Sequence, residues 1–388
     1  MYTVILKKGE EKRLMAGHPW IFANEVSKIE GKDQQGSVAR VESLERKFVG
    51  YGFINHHSKI IVRLITRNET SIDKDFFAEQ IKKANQFRLS LGYQNNYRVI
   101  FGESDGLPGL IVDKFGDYLV VQFLSLGMDM RKDLILELLV QEFQPKGIYE
   151  RDDVSIREKE GLPQFKGLIY GVLDNPVLIE ENGLKLLIDI ENGQKTGYFL
   201  DQKENRDNLK HYVKNKEVLD CFCNVGGFSL CAAKYQAKNI TAVDISEQAL
   251  NFVQKHADLN GFSNITTIKA DVFSQLRLFK QQGKMFDVIV LDPPAFTKSV
   301  DTIKEGYRGY LDLNNLAWKI LNPGGFLITC SCSQHLTLDL FLKMIHESVE
   351  SSGVNVKMVE LRMQAKDHAT LIGADESFYL KVAVLHLI

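Results

Sequence analysis

Val218-Leu219-Asp220-Cys221-Phe222-Cys223-Asn224-Val225-Gly226-Gly227-Phe228 reads as a buried strand, a glycine turn and the opening of a helix. Paired glycines let the backbone come close to a ligand. The first N–H groups of a helix have no partner inside it and are offered to a carboxylate or phosphate. The spacing is not Gly-x-Gly-x-x-Gly, which disfavours a dinucleotide. Around this stretch, strands and helices alternate. The pattern predicts strands over 184–190, 217–222, 239–244, 265–270, 286–291 and 325–330, and helices over 201–213, 227–236, 246–260, 304–321 and 336–351. Residues 356–361 and 378–387 would close the sheet. Such alternation means a mostly parallel sheet with helices on both faces.

In an open parallel sheet, ligands bind beyond the carboxyl ends of the strands. Asp244 ends the strand after the glycine turn, followed by Ile245, and is placed to accept both hydroxyls of a ribose. Asp271, followed by Val272, ends the third strand and is placed to meet an adenine amino group. Each Asp alone is more often a helix cap than a ligand. A glycine loop followed by acids after the next two strands resembles the class I S-adenosylmethionine-dependent methyltransferases. The resemblance covers about 200 residues. It implies a cofactor site built from Asp220, Phe222, Asn224, Gly226, Gly227, Asp244, Ile245, Asp271 and Val272, with Asp292 at the next strand end.

The rest of the chain is organised differently. At 388 residues it is too long for one ordinary core. The 44% apolar and 25% charged composition is that of a soluble globular protein. No apolar run is long enough to span a bilayer, and charges from Lys7 onward leave no secretory leader. The 5 cysteines form no disulfide framework and point to a reducing cytosol. Residues 1–66 hold eleven Lys and Arg against seven Asp and Glu, on an otherwise acidic body. Lys7, Lys8, Lys12, Arg13, Arg46, Lys47 and Arg63 are candidate phosphate contacts there, although ordinary solvated charge gives the same count. This N-terminal segment reads as strands and turns, and 73–91 as a helix with Asp73 as N-cap and Gly92 as its stop. A hairpin over 110–123, a helix over 130–143 and a strand near Ile148 make a small α+β segment. Asp174-Asn175-Pro176 reads as a linker.

Asn192-Gly193-Gln194-Lys195-Thr196-Gly197-Tyr198-Phe199-Leu200-Asp201-Gln202 through Arg206 carries a more specific resemblance. It is similar to a segment of the RlmI-like ribosomal RNA cytosine-5 methyltransferases. Gly17-His18-Pro19-Trp20-Ile21-Phe22, Gly106-Leu107-Pro108-Gly109-Leu110-Ile111-Val112-Asp113, Asp292-Pro293-Pro294-Ala295-Phe296 and Ser331-Cys332-Ser333 fit the same family. The resemblance runs nearly end to end and departs mildly at Lys203-Glu204. It implies an N-terminal PUA β-barrel over 1–70 and a central α+β domain over 71–175. The methyltransferase domain over 176–388 would be Rossmann-like, with a mostly parallel seven-stranded sheet. It adds Gln194, Thr196, Tyr198 and Phe199 to the cofactor site. It names large-subunit ribosomal RNA as partner, with no membrane. A homodimer is compatible with the sequence, and nothing in it requires one.

The chemistry turns on a thiol. Carbon 5 of a pyrimidine is a poor nucleophile until a thiolate adds at carbon 6. Such a cysteine must be accessible and readily ionised. Gly324-Gly325-Phe326-Leu327-Ile328-Thr329-Cys330 fits a strand interior, where Cys330 would be a small core residue. Cys332 falls at the carboxyl edge and is the expected nucleophile. Asp292 is expected at the pyrimidine edge, Pro293 as a rigid turn beside the substrate, and Phe296 as a stacking ring or a packing one. Some RNA cytosine methyltransferases place a second cysteine after the proline; here Ala295 and Phe296 follow, so the acceptor of the carbon 5 proton is open. Cys221, Cys223 and Cys231 fit packing, without the partners a zinc site needs, and no metal is expected. Methylation of uracil carbon 5 or of a base nitrogen, and a non-catalytic RNA-binding ribosome assembly factor, are the competing readings. Ala295 directly after Pro-Pro weighs against an exocyclic amine, and the intact acidic series weighs against the assembly factor.

Overall fold

The computed structural model describes residues 1–297 and 299–388, and the chain packs as two compact units. The first comprises Met1–Ile179, Ile188–Leu200 and Lys366–Ser377, and the second Glu180–Leu187, Asp201–Ala365 and Phe378–Ile388.

The first unit holds two sheets. Strands β1 (Tyr2–Leu6), β2 (Trp20–Phe22), β3 (Val26–Glu30), β4 (Val38–Glu42), β5 (Phe48–Ile54) and β6 (Ile60–Thr66) lie in the order β2-β6-β5-β4-β1-β3. β1 and β4 pair in parallel; the other neighbours are antiparallel, and each of those pairs carries a register shift. Bulges bend a strand and increase its twist, which wraps this sheet around Val4, Leu6, Leu14, Ile21, Val41 and Val62. Strands β7 (Asn96–Phe101), β8 (Leu110–Phe115), β9 (Tyr118–Phe123), β10 (Gly147–Arg151) and β11 (Lys166–Gly171) follow one another across the second sheet. Helices Lys74–Ser90 and Lys132–Phe143 pack on it. Asp73 caps the first of these by accepting the Phe76 N–H at 3.1 Å. Phe53 and Ile65 from the N-terminal sheet belong to the core of this second sheet, so the two share apolar packing.

Strands β12 (Val177–Glu181) and β13 (Leu184–Ile188) form a two-stranded sheet of their own. Asn182 (φ +52°) and Gly183 (φ +69°) join them in the left-handed pair a two-residue hairpin turn requires. The strand expected over 184–190 therefore exists, but its partner is local.

In the second unit, β14 (Glu217–Cys221), β15 (Asn239–Asp244), β16 (Ile265–Lys269), β17 (Phe286–Leu291), β18 (Leu321–Ser331), β19 (Val356–Met363) and β20 (Lys381–Leu387) make a seven-stranded sheet. Its order is β16-β15-β14-β17-β18-β20-β19, with β20 antiparallel to both neighbours and the other pairs parallel. Helices Gly227–Lys234, Glu247–Asn260, Val272–Gln281, Ile303–Trp318 and Leu338–Ser352 accompany it. One large core joins Leu219, Ile289 and Leu327 to Leu276, Leu313 and Phe341, and a smaller one holds Cys223, Ala242, Leu250 and Val253. The helix over 272–281 was not expected. The helix expected over 201–213 is only one α-helical turn, Lys203–Asp207, between 3-10 turns. Its asparagines also bond outside the segment: Asn205 donates to the Met363 carbonyl at 3.1 Å and Asn208 to Glu360 at 2.9 Å. The chain runs from β14 to β15 and β16 on one side, then returns to β17 on the other. The carboxyl ends of β14 and β17 thus flank the switch point where open α/β sheets bind ligands.

Candidate active site

β14 delivers the chain into a backbone under strain. Phe222 (φ +60°), Asn224 (φ +48°) and Gly226 (φ +87°) all take left-handed conformations. For an aromatic residue this costs on the order of 1–3 kcal/mol, and such backbone gathers at ligand sites. Local bonds hold the loop: the Cys223 N–H donates to the Val243 carbonyl at 3.1 Å and the Gly226 N–H to the Cys223 carbonyl at 2.8 Å. Glycine is favoured at 226, because its φ is left-handed and a Cβ would lie 3.0 Å from one Val253 methyl and 3.1 Å from the other, so Val253 would have to give by a few tenths of an ångström. Gly227 then opens the helix.

Asp244, half-buried at the end of β15, ties that loop down. Its Oδ2 accepts from the Asn224 N–H and its Oδ1 from the Ser246 N–H, both at 2.9 Å. Beside it Ile245 is 71% exposed, a large aliphatic surface left open at the strand end. Asp271 does cap the helix over 272–281: its Oδ1 accepts from the Ser274 N–H at 2.9 Å and from the Ser274 hydroxyl at 2.8 Å. Its other oxygen lies outside that cap, while the Val272 side chain is core. Asp220 is 1% exposed. Its Oδ2 accepts from the Ser229 N–H at 2.9 Å and the Ser229 hydroxyl at 2.6 Å, but its Oδ1 is buried with no donor. Burial first, then the charges of Asp292 and Asp244, push this carboxyl up to about 7. A buried acceptor without a donor, beside a strained loop and an open aliphatic face, suits a ligand with a cationic group and an apolar ring. S-adenosylmethionine is such a ligand.

Gln194, Thr196, Tyr198 and Phe199 lie in the first unit. There Gln194 is exposed, Tyr198 is buried, and the Lys195 ammonium sits over the Phe199 ring at 4.5 Å. The Thr196 hydroxyl donates to Asp113 at 2.6 Å, and Asp113 is paired with Arg98 at 2.7 Å. Arg151 donates to the carbonyls of Ile190 and Gly193 at 2.7 and 3.0 Å. This loop is firmly held within its own unit.

At the end of β18 the two candidate thiols separate. Cys330 is fully buried, and burial raises its pKa well above the ordinary thiol range. Cys332, one residue past the strand, is partly exposed, and its Sγ lies 3.9 Å from the Pro293 carbonyl oxygen. The sheet thus brings Ser331-Cys332-Ser333 against Asp292-Pro293-Pro294. Cys221, Cys223 and Cys231 are all buried. Half-buried Asp292 accepts at 3.0 Å from Gln202 Nε2, and Asn205 bonds the Gln202 oxygen at 2.7 Å. Gln202 therefore orients Asp292, a role that sequence reading did not assign. Lys381, also unassigned, is 1% exposed and donates to the Ser333 and Tyr379 carbonyls at 2.7 and 2.9 Å.

Several expected substrate contacts are corrected. The Phe296 ring is committed to packing, with its centroid 4.6 Å from Tyr310 and 6.1 Å from Phe273, and its ring edge faces Gly309. Pro293 is buried and Pro294 exposed, and the Pro293 carbonyl lies against the thiol. Arg63 is buried and paired with Glu103 at 2.8 Å and Glu160 at 2.9 Å, which removes it from any phosphate contact. Arg13 is held by Glu25 and the Trp20 carbonyl, and Arg46 is exposed but forks onto Glu30 at 2.8 and 2.9 Å. Lys7, Lys8, Lys12 and Lys47 remain exposed. Trp20 packs, donating its indole N–H to Glu103 at 2.8 Å. Among the described residues no cluster could hold a metal ion, and no helix is long and apolar enough to cross a membrane.

Known proteins resemble this chain along its whole length. Residues 4–67 match the PUA-like domain family and residues 171–367 an S-adenosylmethionine-dependent methyltransferase family. The chain is similar to two solved structures over 100% of each chain: a candidate methyltransferase from Streptococcus mutans (TM-score 0.85, 23% identity) and a candidate methyltransferase in complex with SAH (TM-score 0.87, 22% identity). These show the fold. Curated relatives are nearer in sequence. A ribosomal RNA large subunit methyltransferase I of Vibrio cholerae serotype O1 is 43% identical over 98% of both chains. One of Aeromonas hydrophila is 41% identical over 99% of this chain and 98% of the relative. A strained glycine loop, an acid at each successive strand end and nearly full-length identity converge: the chain is an S-adenosylmethionine-dependent methyltransferase of the ribosomal RNA large subunit methyltransferase I family.

Proposed function

We propose that this chain methylates carbon 5 of a cytosine in large-subunit ribosomal RNA through a transient bond from Cys332 to carbon 6. One observation carries the reading. Of the five cysteines, Cys332 alone is partly exposed, and it stands at the carboxyl edge of the sheet against the Asp-Pro-Pro turn. S-adenosylmethionine, when bound, supplies an electrophilic methyl group. Asp220, Phe222, Asn224, Gly226, Gly227, Asp244, Ile245 and Asp271 are the residues we assign to holding it, with the backbone at Val272.

The Cys332 thiolate adds to carbon 6, and the electron pair of the 5,6 double bond moves toward carbon 5. Carbon 5 then forms its bond to the methyl group as that group's bond to sulfur breaks, which would leave S-adenosylhomocysteine. A base takes the carbon 5 proton, the double bond returns, and the sulfur leaves as thiolate. The net change is one methyl gained and one proton released. Asp292, fixed by Gln202, is suited to accept a hydrogen bond from the base edge and to steady a proton at nitrogen 3. The cytosine must leave its stack to reach the thiol. The exposed lysines of the N-terminal sheet serve as phosphate contacts. The three-part division at about 70 and 175, and a cytoplasmic location, belong to the same proposal.

The test is the product. Large-subunit RNA lacking modifications is incubated with the enzyme and methyl-labelled cofactor, then digested to nucleosides. The proposal expects label in 5-methylcytidine. Label in 5-methyluridine or in a nitrogen-methylated base would refute the assignment of the atom.

A further inference from the structure

Lys381 begins β20, directly across from Ser331 of β18 in the antiparallel register. It interrupts an otherwise apolar run, Leu380-Lys381-Val382-Ala383-Val384-Leu385. The side chain is 1% exposed. Its ammonium donates to two carbonyl oxygens, Ser333 at 2.7 Å and Tyr379 at 2.9 Å, which engages two of its three N–H groups. Among the described residues no carboxylate pairs with it. A lysine is almost never buried this far unless an anion accompanies it, because an isolated buried charge is costly. Yet the first of its two carbonyl partners belongs to the residue after Cys332.

The groups around Cys332 narrow the choice of anion. Tyr310, from the helix Ile303–Trp318, bonds the Ser333 hydroxyl at 2.9 Å, and burial pushes its phenol up to about 12. Cys330 on the same strand is also raised by burial and stays a neutral thiol. Asp292, beyond the Pro293 carbonyl, is an acid and opposes a thiolate. Lys381 supplies the positive charge in this set. Burial lowers its own pKa to about 8, and the Cys332 charge acts in the opposite direction. Such an interaction is reciprocal: what the thiolate does for the ammonium, the ammonium does for the thiolate.

We infer that Lys381 is the counter-ion of the Cys332 thiolate, a buried positioning residue that keeps the nucleophile ionised near neutral pH. This rests on the assignment of Cys332 as nucleophile.

The thiol is tested without RNA or cofactor. Alkylation of Cys332 by iodoacetamide is followed by peptide mass spectrometry from pH 5.5 to 10 in the full-length protein, as Lys381, Lys381→Gln and Lys381→Arg. The unaltered protein should titrate below the ordinary thiol value of about 8.5. Lys381→Gln keeps a donor for the carbonyls and removes the charge; its midpoint should rise by about one pH unit or more, with about a tenfold slower reaction at pH 7. Lys381→Arg should restore at least half of that rate. An unaltered midpoint of 9 or higher overturns the inference, whatever the variants do, and so does the same midpoint with and without the lysine. A parallel trap with 5-fluorocytidine RNA separates the two ideas. A lysine-dependent midpoint with no RNA adduct supports the ion pair and refutes the covalent mechanism. An adduct with a lysine-independent midpoint refutes the ion pair alone.

Discussion

Replacing Gly226 by alanine should damage the cofactor loop through two separable terms. The backbone at 226 has φ +87°, where an L side chain costs about 1–2 kcal/mol. The new Cβ would also meet two Val253 methyls at 3.0 and 3.1 Å. Val253 is fully buried between helix and sheet and has little room to yield. Overpacking of that kind costs roughly 1–3 kcal/mol. Together they amount to roughly 2–5 kcal/mol, or a melting point lower by roughly 4–20 °C for a unit of this size. Differential scanning fluorimetry without cofactor reads the stability, and calorimetric titration with S-adenosylhomocysteine reads the loop. Adding Val253→Ala should relieve the clash and leave the dihedral cost. The two losses should therefore be less than additive, by on the order of 1 kcal/mol in a double-mutant cycle. A Gly226→Ala melting point within 2 °C of the parent, or fully additive losses, would refute the reasoning.

Asp220 offers a pH test. Its folded pKa, about 7, lies above the ordinary carboxyl value, so the folded state holds a proton that the unfolded state has released. Stability is complete below about pH 4 on this account and falls as pH rises towards 7. Asp220→Asn keeps an acceptor for Ser229; urea unfolding at pH 5 and 7.5 should show a shallower pH dependence and titration weaker cofactor binding, and an unchanged slope would count against the buried orphan oxygen. In RNA binding, combined Lys7, Lys8, Lys12 and Lys47 to Ala substitutions should lower affinity and reduce the salt slope by about 0.7–0.9 per lost phosphate contact. Arg63→Ala should leave that slope unchanged and instead destabilise the protein by about 3–5 kcal/mol, because it leaves the Glu103 and Glu160 carboxylates without their shared cation. Filter binding across salt concentrations and thermal melts distinguish the two outcomes.

What could be read in the chain was whatever is local. The alternation after residue 184, the glycine turn at 226–227 and the acids at strand ends needed no partner to be visible. Phe326 to Cys330 announced a strand interior, and the structure buries Cys330 accordingly. The failures are of two kinds. Asn182-Gly183 is a strong hairpin signal that gives β13 a local partner, whereas strand–helix alternation alone counts β13 with the parallel sheet. The other misses depend on distant partners. Nothing near Arg63 shows that Glu103 and Glu160, 40 and 97 residues away, will enclose it. Gln202 meets Asp292 across 90 residues, and Lys381 meets Ser333 across 48. The helix over 272–281 hides because Asp271 fits both a ligand and a cap, and the cap is what it makes. A lysine inside the apolar run 380–385 was the one local hint of a buried charge.

The most direct measurement is a trap. RNA carrying 5-fluorocytidine at the target position is incubated with protein and S-adenosylmethionine and resolved on a denaturing gel. Fluorine cannot leave as a proton does, so an enzyme of this mechanism stays bonded to its substrate. The account predicts an adduct with the parent protein and with Cys330→Ser, and none with Cys332→Ser. An adduct that survives Cys332→Ser, or none at all from a parent protein that still methylates unmodified RNA, would contradict it.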